Sequence, residues 1–214
     1  IGVVGSSHSR QFIPALLPAA EARQAQVVNL TMDGCTYLAG PERSSYCAGY
    51  DEYVLEYLDA VQPETVLTTV TRTVADGPGE SLPAGSDAAV QALLDRGIDV
   101  LAVRDTPRWE TDQYQCAEAV IDDGETPVEA DDACGAAAAD KLAPENPALP
   151  LAELSGPDAA VTLLDLTPQI CPDGRCAPVL GDIYVYMDDS HLTRLFVEET
   201  LAVTITDELA ASAG

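Results

Sequence analysis

Short apolar runs alternate with longer segments of helical periodicity along the chain. The runs are rich in β-branched residues, and most of their positions are hydrophobic without alternation. They lie at Gly2–Val4, Gln26–Leu30, Thr65–Val70, Ile98–Val103 and Val161–Leu164. Unalternated runs of this length are typical of strands that are covered on both faces of a sheet. We therefore predict five core strands.

Helical spacing of apolar residues predicts helices between and after these strands. The predicted helices run from Ser9 to about Gln24, from Asp51 to Ala60, from Ser86 to Arg96, and from about Ser190 to Val203. Ser86 has the residue type of an N-cap, and Gly97 suits the position after a helix end. Repeated strand–helix–strand units imply a parallel sheet with right-handed crossovers, so the fold class is α/β.

Two segments depart from this alternation. Residues 106–157 are rich in Pro, Asp and Ala, and we interpret them as a long excursion with one or two short helices, held by Cys116 and Cys134. Residues 76–85 form a second, weaker excursion. No internal repeat and no dividing linker is evident, so the economical prediction is one domain over residues 1–214.

The charge balance excludes whole classes of function. Ten Lys and Arg residues face 36 Asp and Glu, which gives a formal net charge of −26. A polyanion of this strength repels phosphate backbones and anionic lipid headgroups, so we expect no nucleic-acid partner. The acid excess is compatible with a solvated surface, with adaptation to high salt or with a cationic partner, and composition does not separate these.

No apolar stretch approaches the ~18 residues of a membrane span, and no signal-peptide pattern precedes the first strand. The chain opens directly on an apolar run at Ile1, so we expect a mature domain or a piece of something longer.

Six cysteines fall into three local pairs along the chain, Cys35/Cys47, Cys116/Cys134 and Cys171/Cys176. Six cysteines allow 15 pairings, but short loops bring nearest neighbours together, and we expect disulfides within these pairs. Free thiols and a zinc site are the alternatives. Zinc is disfavoured because no Cys-x₂-Cys repeat occurs and the chain has only two histidines. Disulfides indicate an oxidising, extracytoplasmic compartment.

The first chemical motif is the turn between the first strand and the first helix, Gly5-Ser6-Ser7-His8-Ser9. Parallel sheets bind ligands at the carboxyl ends of their strands. Glycine permits a tight turn, and the following helix N-terminus directs amides and positive dipole to the same place. Ser7 is therefore a candidate nucleophile, although the same residues are more often a simple helix cap.

The second motif, Asp188-Asp189-Ser190-His191-Leu192-Thr193, lies near the end of the chain. An Asp three residues before a His can fold back and orient the imidazole. The segment therefore offers the base His191 and the orienting Asp188 of a Ser-His-Asp triad. We expect the ring of His8 to point elsewhere, because His8 adjoins Ser7 directly in the sequence.

A nucleophile after the first strand and Asp-x-x-His before the last helix together resemble the SGNH hydrolase superfamily. More narrowly, the chain resembles the extracytoplasmic SGNH domain that is fused to membrane acyltransferases of the acyltransferase-3 family. The matching stretches are Val3–Pro14, Tyr186–Thr193, and, more weakly, Val28–Cys35 and Cys171–Cys176. The resemblance implies a three-layer α/β/α sandwich of flavodoxin-like type.

The resemblance also implies an oxyanion hole made by the amides of Ser7 and Gly34. Two departures from the family pattern affect the site. Ser6 stands where the family has an Asp that braces the turn, and the third-block Asn is absent, with Thr68–Arg72 in its place. We take Thr71 or Arg72 as the candidate third donor.

The resemblance implies an O-acyltransferase that works without a cofactor or metal. An acyl group, acetyl being the first choice, would pass through Ser7 to a hydroxyl of a cell-envelope glycan. A membrane acyltransferase domain would deliver it at the outer face of a bacterial cell membrane, with any tether lying upstream of Ile1. The alternatives are a secreted carbohydrate esterase with the same triad and a catalytically impaired glycan-binding accessory domain.

Overall fold

A five-stranded parallel sheet forms the centre of the protein in the computed structural model, which describes residues 1–39 and 45–212. Five strands form this sheet, and the others form short two-stranded sheets beside it. In chain order the strands are β1 Gly2–Gly5, β2 Val28–Thr31, β3 Thr65–Thr69, β4 Arg72–Val74, β5 Gly77–Ser81, β6 Asp99–Val103, β7 Ala136–Ala137, β8 Val161–Leu164, β9 Arg175–Cys176, β10 Val179–Leu180 and β11 Ile183–Tyr184.

The helices follow the strands along the chain. They are α1 Ser7–Arg10, α2 Ile13–Ala22, α3 Tyr50–Val61, α4 Ser86–Leu94, α5 Gln113–Asp122, α6 Pro127–Cys134, α7 Thr167–Ile170, α8 Arg194–Phe196 and α9 Ala202–Ser212, with a π-turn at Val197–Leu201 between the last two. Short 3₁₀ segments lie at Ser45–Cys47, Ala138–Asp140, Leu149–Leu154 and Pro172–Gly174.

The sheet has the order β2-β1-β3-β6-β8, and all four of its pairings are parallel. This is the flavodoxin-like order, in which the chain runs outward in one direction from β1 and then in the other. The fold class and the five strands predicted from the apolar runs are confirmed. The order also places the carboxyl ends of β1 and β3 side by side, next to the turn at Gly5.

Buried side chains form a layer on each face of the sheet. Successive strand residues point to opposite faces. Val3 and Leu67 therefore pack with α2 and α9 on one face, whereas Val4 and Val66 pack with α3 and α4 on the other. The alternation explains why these strands read as continuous apolar runs, and it confirms the three-layer arrangement.

Three helix ends differ from the predicted ones, because local capping and turn residues decide where each helix starts or stops. The first helix is interrupted after Arg10 and resumes at Ile13, with Pro14 in its first turn, where the missing N–H costs nothing. The last helix begins at Arg194 rather than near Ser190, because Thr193 adopts an extended conformation and its hydroxyl accepts from the Phe196 amide. Gly85, not Ser86, is the N-cap of α4.

The excursion at residues 106–157 contains α5 and α6, which the Cys116–Cys134 disulfide joins. The other disulfides are Cys35–Cys47 and Cys171–Cys176, as predicted. The second predicted excursion, residues 76–85, overlaps the β4–β5 hairpin but starts after β4 and runs past the end of β5. Among the residues that the structure describes, no helix combines the length and apolar character needed to cross a bilayer.

Candidate active site

The turn after β1 contains a glycine in a backbone conformation that would be strained for any other residue. Gly5 has a φ of +114°, and a Cβ there would lie 2.5 Å from the hydroxyl oxygen of Ser9. The Gly5 amide donates to the Tyr50 hydroxyl at 2.7 Å, which ties the turn to α3. Ser6 then caps α1, because its side chain accepts from the His8 amide. Ser7 is thereby held at the first residue of the helix.

His191 and Asp188 lie in a tight loop between Tyr186 and Leu192, which form an isolated antiparallel bridge. Asp188 Oδ2 lies 2.8 Å from His191 Nδ1, while Asp188 Oδ1 accepts from the amides of Ser190 and His191. Partial burial raises the pKa of Asp188, but the two amides and the imidazole outweigh it, so that the pKa is lowered overall. An ionised Asp188 fixes the proton of the neutral imidazole on Nδ1 and leaves Nε2 as an acceptor.

The structure brings Ser7, His191 and Asp188 together. Nε2 of His191 lies 2.8 Å from the Ser7 hydroxyl oxygen, although the two residues are 184 positions apart. Such a chain of two short hydrogen bonds is the arrangement in which a serine hydroxyl is deprotonated by an oriented imidazole.

Two other parts of the chain hold the histidine loop in place. The side chain of Gln11 links the first turn to the histidine loop. Its NH₂ group donates to the His8 carbonyl, and its oxygen accepts from the Leu192 amide. The amides of Trp109 and Gln113 donate to the carbonyls of Asp189 and Asp188, respectively. The start of the excursion therefore acts as a support for the loop.

A polar cavity of about 150 Å³ opens beside Ser7 and His191. The amides of Ser7 and Gly34 have no hydrogen-bond acceptor among the described residues, and both residues line this cavity. Gly34 has a φ of +75°, which glycine adopts freely. These two amides are available to an oxyanion.

Thr71 and Arg72, the candidate third donors, also line the cavity. The Thr71 hydroxyl donates to Glu80 Oε1 at 2.8 Å and accepts from the Asp105 amide, so its proton is already committed. The expectation for the Thr71 side chain is therefore not supported. Thr69, the last residue of β3, lines the same cavity. Its buried hydroxyl has no hydrogen-bond partner among the described residues.

His8 does not point away from the site, and that expectation is wrong. Its ring is buried beside the ring of His191, with 4.7 Å between the centroids, and it lines the polar cavity. Nδ1 of His8 lies 2.6 Å from Oδ1 of the fully buried Asp105. Burial raises the pKa of Asp105, but His8, Arg108 and the Thr73 amide outweigh it, and the net shift is downward.

Asp105 is a site residue that the sequence reasoning missed, although a signal was present. It comes two residues after β6, at the same sheet edge as Ser7. Carboxyl ends of parallel strands converge on one edge, so a carboxylate there was a candidate on topology alone.

A second, larger cavity of about 500 Å³ also has Ser7 and His191 in its lining. Its wall includes the apolar side chains of Pro14, Met187 and Leu192. Over residues 1–39 and 45–212, no group of three or more His, Cys, Asp or Glu side chains is placed to hold a metal ion.

Comparisons with known proteins identify the family. A periplasmic domain of a lipopolysaccharide acetyltransferase from Salmonella ser. Paratyphi A has a similar structure, with a TM-score of 0.61 and 13% sequence identity, over 95% of this chain and 83% of that one. No curated protein matches the sequence. The family model described as "SGNH domain (fused to AT3 domains)" matches residues 1–199. The chain therefore belongs to the family of SGNH domains that are fused to AT3 domains.

Proposed function

We propose that this domain is a serine-dependent O-acyltransferase that moves an acyl group, acetyl in the first instance, onto a hydroxyl of a cell-envelope glycan. The observation that carries the proposal is the unbroken sequence of contacts from Asp188 through His191 to Ser7, with 2.8 Å at each step. A domain that only binds glycans has no need of this alignment.

In the first half-reaction, His191 Nε2 takes the proton of the Ser7 hydroxyl while the serine oxygen forms a bond to the acyl carbon. The carbonyl oxygen becomes an oxyanion, which the amides of Ser7 and Gly34 stabilise. The bond to the donor's oxygen then breaks, and the departing oxygen receives the proton from Nε2. The product is an acyl-serine.

In the second half-reaction, the same nitrogen takes the proton of an incoming hydroxyl. That oxygen attacks the acyl carbon, the bond to Ser7 breaks, and the serine recovers its proton from Nε2. Asp188 stabilises the positive imidazolium in both halves, because its carboxylate is ionised and faces Nδ1.

The family supports the two other parts of the proposal, the glycan acceptor and the membrane domain. Fusion to AT3 domains supports a membrane acyltransferase domain as the source of the acyl group. The similar Salmonella domain is part of a lipopolysaccharide acetyltransferase and is periplasmic. Together with three disulfides, this supports an extracytoplasmic location, where a glycan acceptor is present.

Hydrolysis is the second candidate, and one observation favours it. The side chain of His191 is 26% exposed, so water reaches the position that an acceptor hydroxyl would occupy. A carbohydrate esterase would use the same three residues. The two functions differ only in which oxygen resolves the acyl-serine.

The test is to compare the protein with Ser7→Ala and with the matched control Ser81→Ala, which alters an exposed serine on β5. With 4-nitrophenyl acetate, we expect Ser7→Ala to lose a factor of about 10⁴–10⁶ in turnover and the control to lose nothing. Intact-mass measurement should find one acetyl group on the parent and none on Ser7→Ala. Turnover by Ser7→Ala at the parent rate would refute the proposal, and adding glycan fragments separates transfer from hydrolysis by the product formed.

A further inference from the structure

Cations are scarce in this chain, and nearly all of those that the structure describes contact a carboxylate or a backbone carbonyl. Ten Lys and Arg residues stand against 36 acidic ones. Most arginines that the structure describes contact a carboxylate at 3.4 Å or less: Arg10 with Asp33, Arg96 with Asp59, Arg104 with Glu80 and Asp165, Arg108 with Asp105, Arg175 with Asp131 and Arg194 with Glu198. Arg23 and Lys141 donate to backbone carbonyls.

Arg72 is the exception. Within the described residues its side chain has neither a carboxylate nor a hydrogen-bond partner, and it is exposed on β4. In a chain with 36 acidic residues, a free guanidinium is unusual, because nearby carboxylates normally occupy it. Its position is informative, since Arg72 lines the polar cavity beside Ser7.

A second guanidinium on the same cavity wall is only partly satisfied. Arg108 Nη2 lies 3.4 Å from Asp105 Oδ2, at the limit of a hydrogen bond. The same oxygen already accepts from the amide and hydroxyl of Thr73, each at 3.1 Å. Arg108 Nε is buried and has no partner in the described chain. Arg108 therefore retains donors that the protein itself does not use.

The balance of charge in the cavity follows from these contacts. Asp105 is the single carboxylate among its lining residues, and its oxygens are shared between His8, Thr73, Thr106 and Arg108. Two arginines against one engaged carboxylate leave the cavity positive, whereas the protein as a whole has a net charge of −26. Such a cavity attracts an anion, because its single carboxylate is already hydrogen-bonded and opposes an incoming negative charge only weakly.

We propose that the substrate carries a carboxylate, which lies in this cavity against Arg72 and Arg108 while its ester or hydroxyl lies at Ser7. The inference rests on the proposed function for the reaction that accompanies binding. Guanidinium groups match carboxylate and phosphate oxygens in geometry and form charge-assisted hydrogen bonds with them. The cavity volume of about 150 Å³ suits one such group, while the larger cavity beyond Ser7 suits the remainder of the substrate.

The anion can belong to either half of the substrate. It can be a second carboxylate on the acyl group, or an acidic substituent on the sugar. Both halves meet at Ser7, which lines both cavities. The two sources share one recognition chemistry, and matched pairs of probes separate them.

The test measures binding in the Ser7→Ala protein, so that it needs no turnover. One pair of probes, methyl β-D-glucuronide and methyl β-D-glucoside, places the charge on the sugar. The other pair, monomethyl succinate and methyl butanoate, places it on the acyl group. We expect the charged member of at least one pair to bind about tenfold more tightly, since charge-assisted hydrogen bonds differ from neutral ones by about that factor.

Arg72→Gln, introduced into the same protein, should remove most of this preference, and Arg72→Lys should restore part of it. Arg96→Gln is the matched control, because it makes the same change in net charge at an ion pair with Asp59 away from the cavity. Equal Kd values within both pairs would overturn the proposal, as would a preference that survives Arg72→Gln combined with Arg108→Gln. Equal loss with Arg96→Gln would also overturn it, since the effect would then follow net charge alone.

The two proposals fail separately. If Ser7→Ala were to keep full esterase activity, the catalytic assignment would be lost, but the Kd comparison would stand. If the Kd values showed no preference while Ser7→Ala was inactive, the anion site would be lost and the catalytic assignment would remain. Near-ultraviolet circular dichroism of each variant excludes unfolding as the cause.

Discussion

Replacing Asp105 with Asn is expected to be among the most damaging isosteric changes in the protein. The side chain is 2% exposed, and donors surround both of its oxygens. Oδ1 faces His8 Nδ1 at 2.6 Å and the Thr106 amide at 2.9 Å, while Oδ2 faces the Thr73 amide and hydroxyl, each at 3.1 Å. Asn has one acceptor oxygen and one NH₂ group, so its NH₂ group faces a backbone amide donor, that of Thr106 or that of Thr73, whichever way the side chain turns.

The magnitude follows from this orphaned amide donor and from the loss of the buried negative charge. A buried donor without a partner costs about 1–3 kcal/mol, and breaking a buried charged pair costs about 3–5 kcal/mol. We expect Asp105→Asn to lose about 3–5 kcal/mol of unfolding free energy. With a urea m-value of about 2 kcal/mol/M, the midpoint should fall by about 1.5–2.5 M.

Urea unfolding followed by tryptophan fluorescence measures this directly. The single tryptophan, Trp109, is four residues from Asp105, and its buried ring contacts Tyr186 edge-on. The matched control is Asp158→Asn at an exposed position, which should shift the midpoint by less than about 0.3 M. A double-mutant cycle with His8→Ala should yield a coupling energy above about 1 kcal/mol.

The dependence of stability on acidic pH provides an independent check on the direction of the pKa shift of Asp105. Because the folded protein holds the pKa of Asp105 below its ordinary value, the stabilisation is complete above an ordinary pKa of about 3.9 and is lost as the pH falls through the lower, folded value. The stability difference between parent and Asp105→Asn should therefore shrink as the pH falls below about 4. A difference below about 1 kcal/mol at pH 7, or strict additivity with His8→Ala, would refute the reasoning.

Three further variants probe the site and its supports. Asp188→Asn should lower the esterase kcat by about 10³–10⁴-fold with little change in melting temperature, and a variant within tenfold of the parent would contradict the role of Asp188. Gly5→Ala should lose about 2–4 kcal/mol in thermal unfolding, because the new Cβ meets the Ser9 hydroxyl at 2.5 Å and the φ of +114° is strained; a melting temperature equal to that of the parent would show that the turn adapts. Replacing Cys35 and Cys47 with Ser should lower the free energy of unfolding by about 2–4 kcal/mol in urea and slow ester turnover as well, because Cys35 follows Gly34, the proposed oxyanion donor; unchanged kcat would show that the disulfide does not position the Gly34 amide.

The sheet was the most predictable part of the molecule. Strands that helices cover on both faces must be apolar at almost every position, and that requirement leaves a signal in any short window. Val161–Leu164 was predicted at its observed bounds, and the other core strands differ by one or two residues. Helix ends were less predictable, since they depend on which side chain caps the backbone. Thr193, not Ser190, caps this helix, which begins at Arg194.

The site was predictable as two local motifs but not as an arrangement. The spacing of Asp188 and His191 is a local property, so their contact was expected, whereas the position of His8 depends on Asp105, 97 residues further along the chain. The state of the Thr71 hydroxyl likewise depends on Glu80 and on the Asp105 amide. Long-range partners of this kind leave no periodicity in the sequence.

The distance along the chain between Ser7 and His191 has a consequence for biosynthesis. The two residues are 184 positions apart, and synthesis at about 5–20 residues per second separates their appearance by roughly 10–40 s. During that interval the nascent polypeptide has its hydroxyl but not the imidazole that would ionise it. On the proposed mechanism, reactivity toward esters therefore appears only when translation has passed His191 and the late segment has docked, so partly made chains would not react.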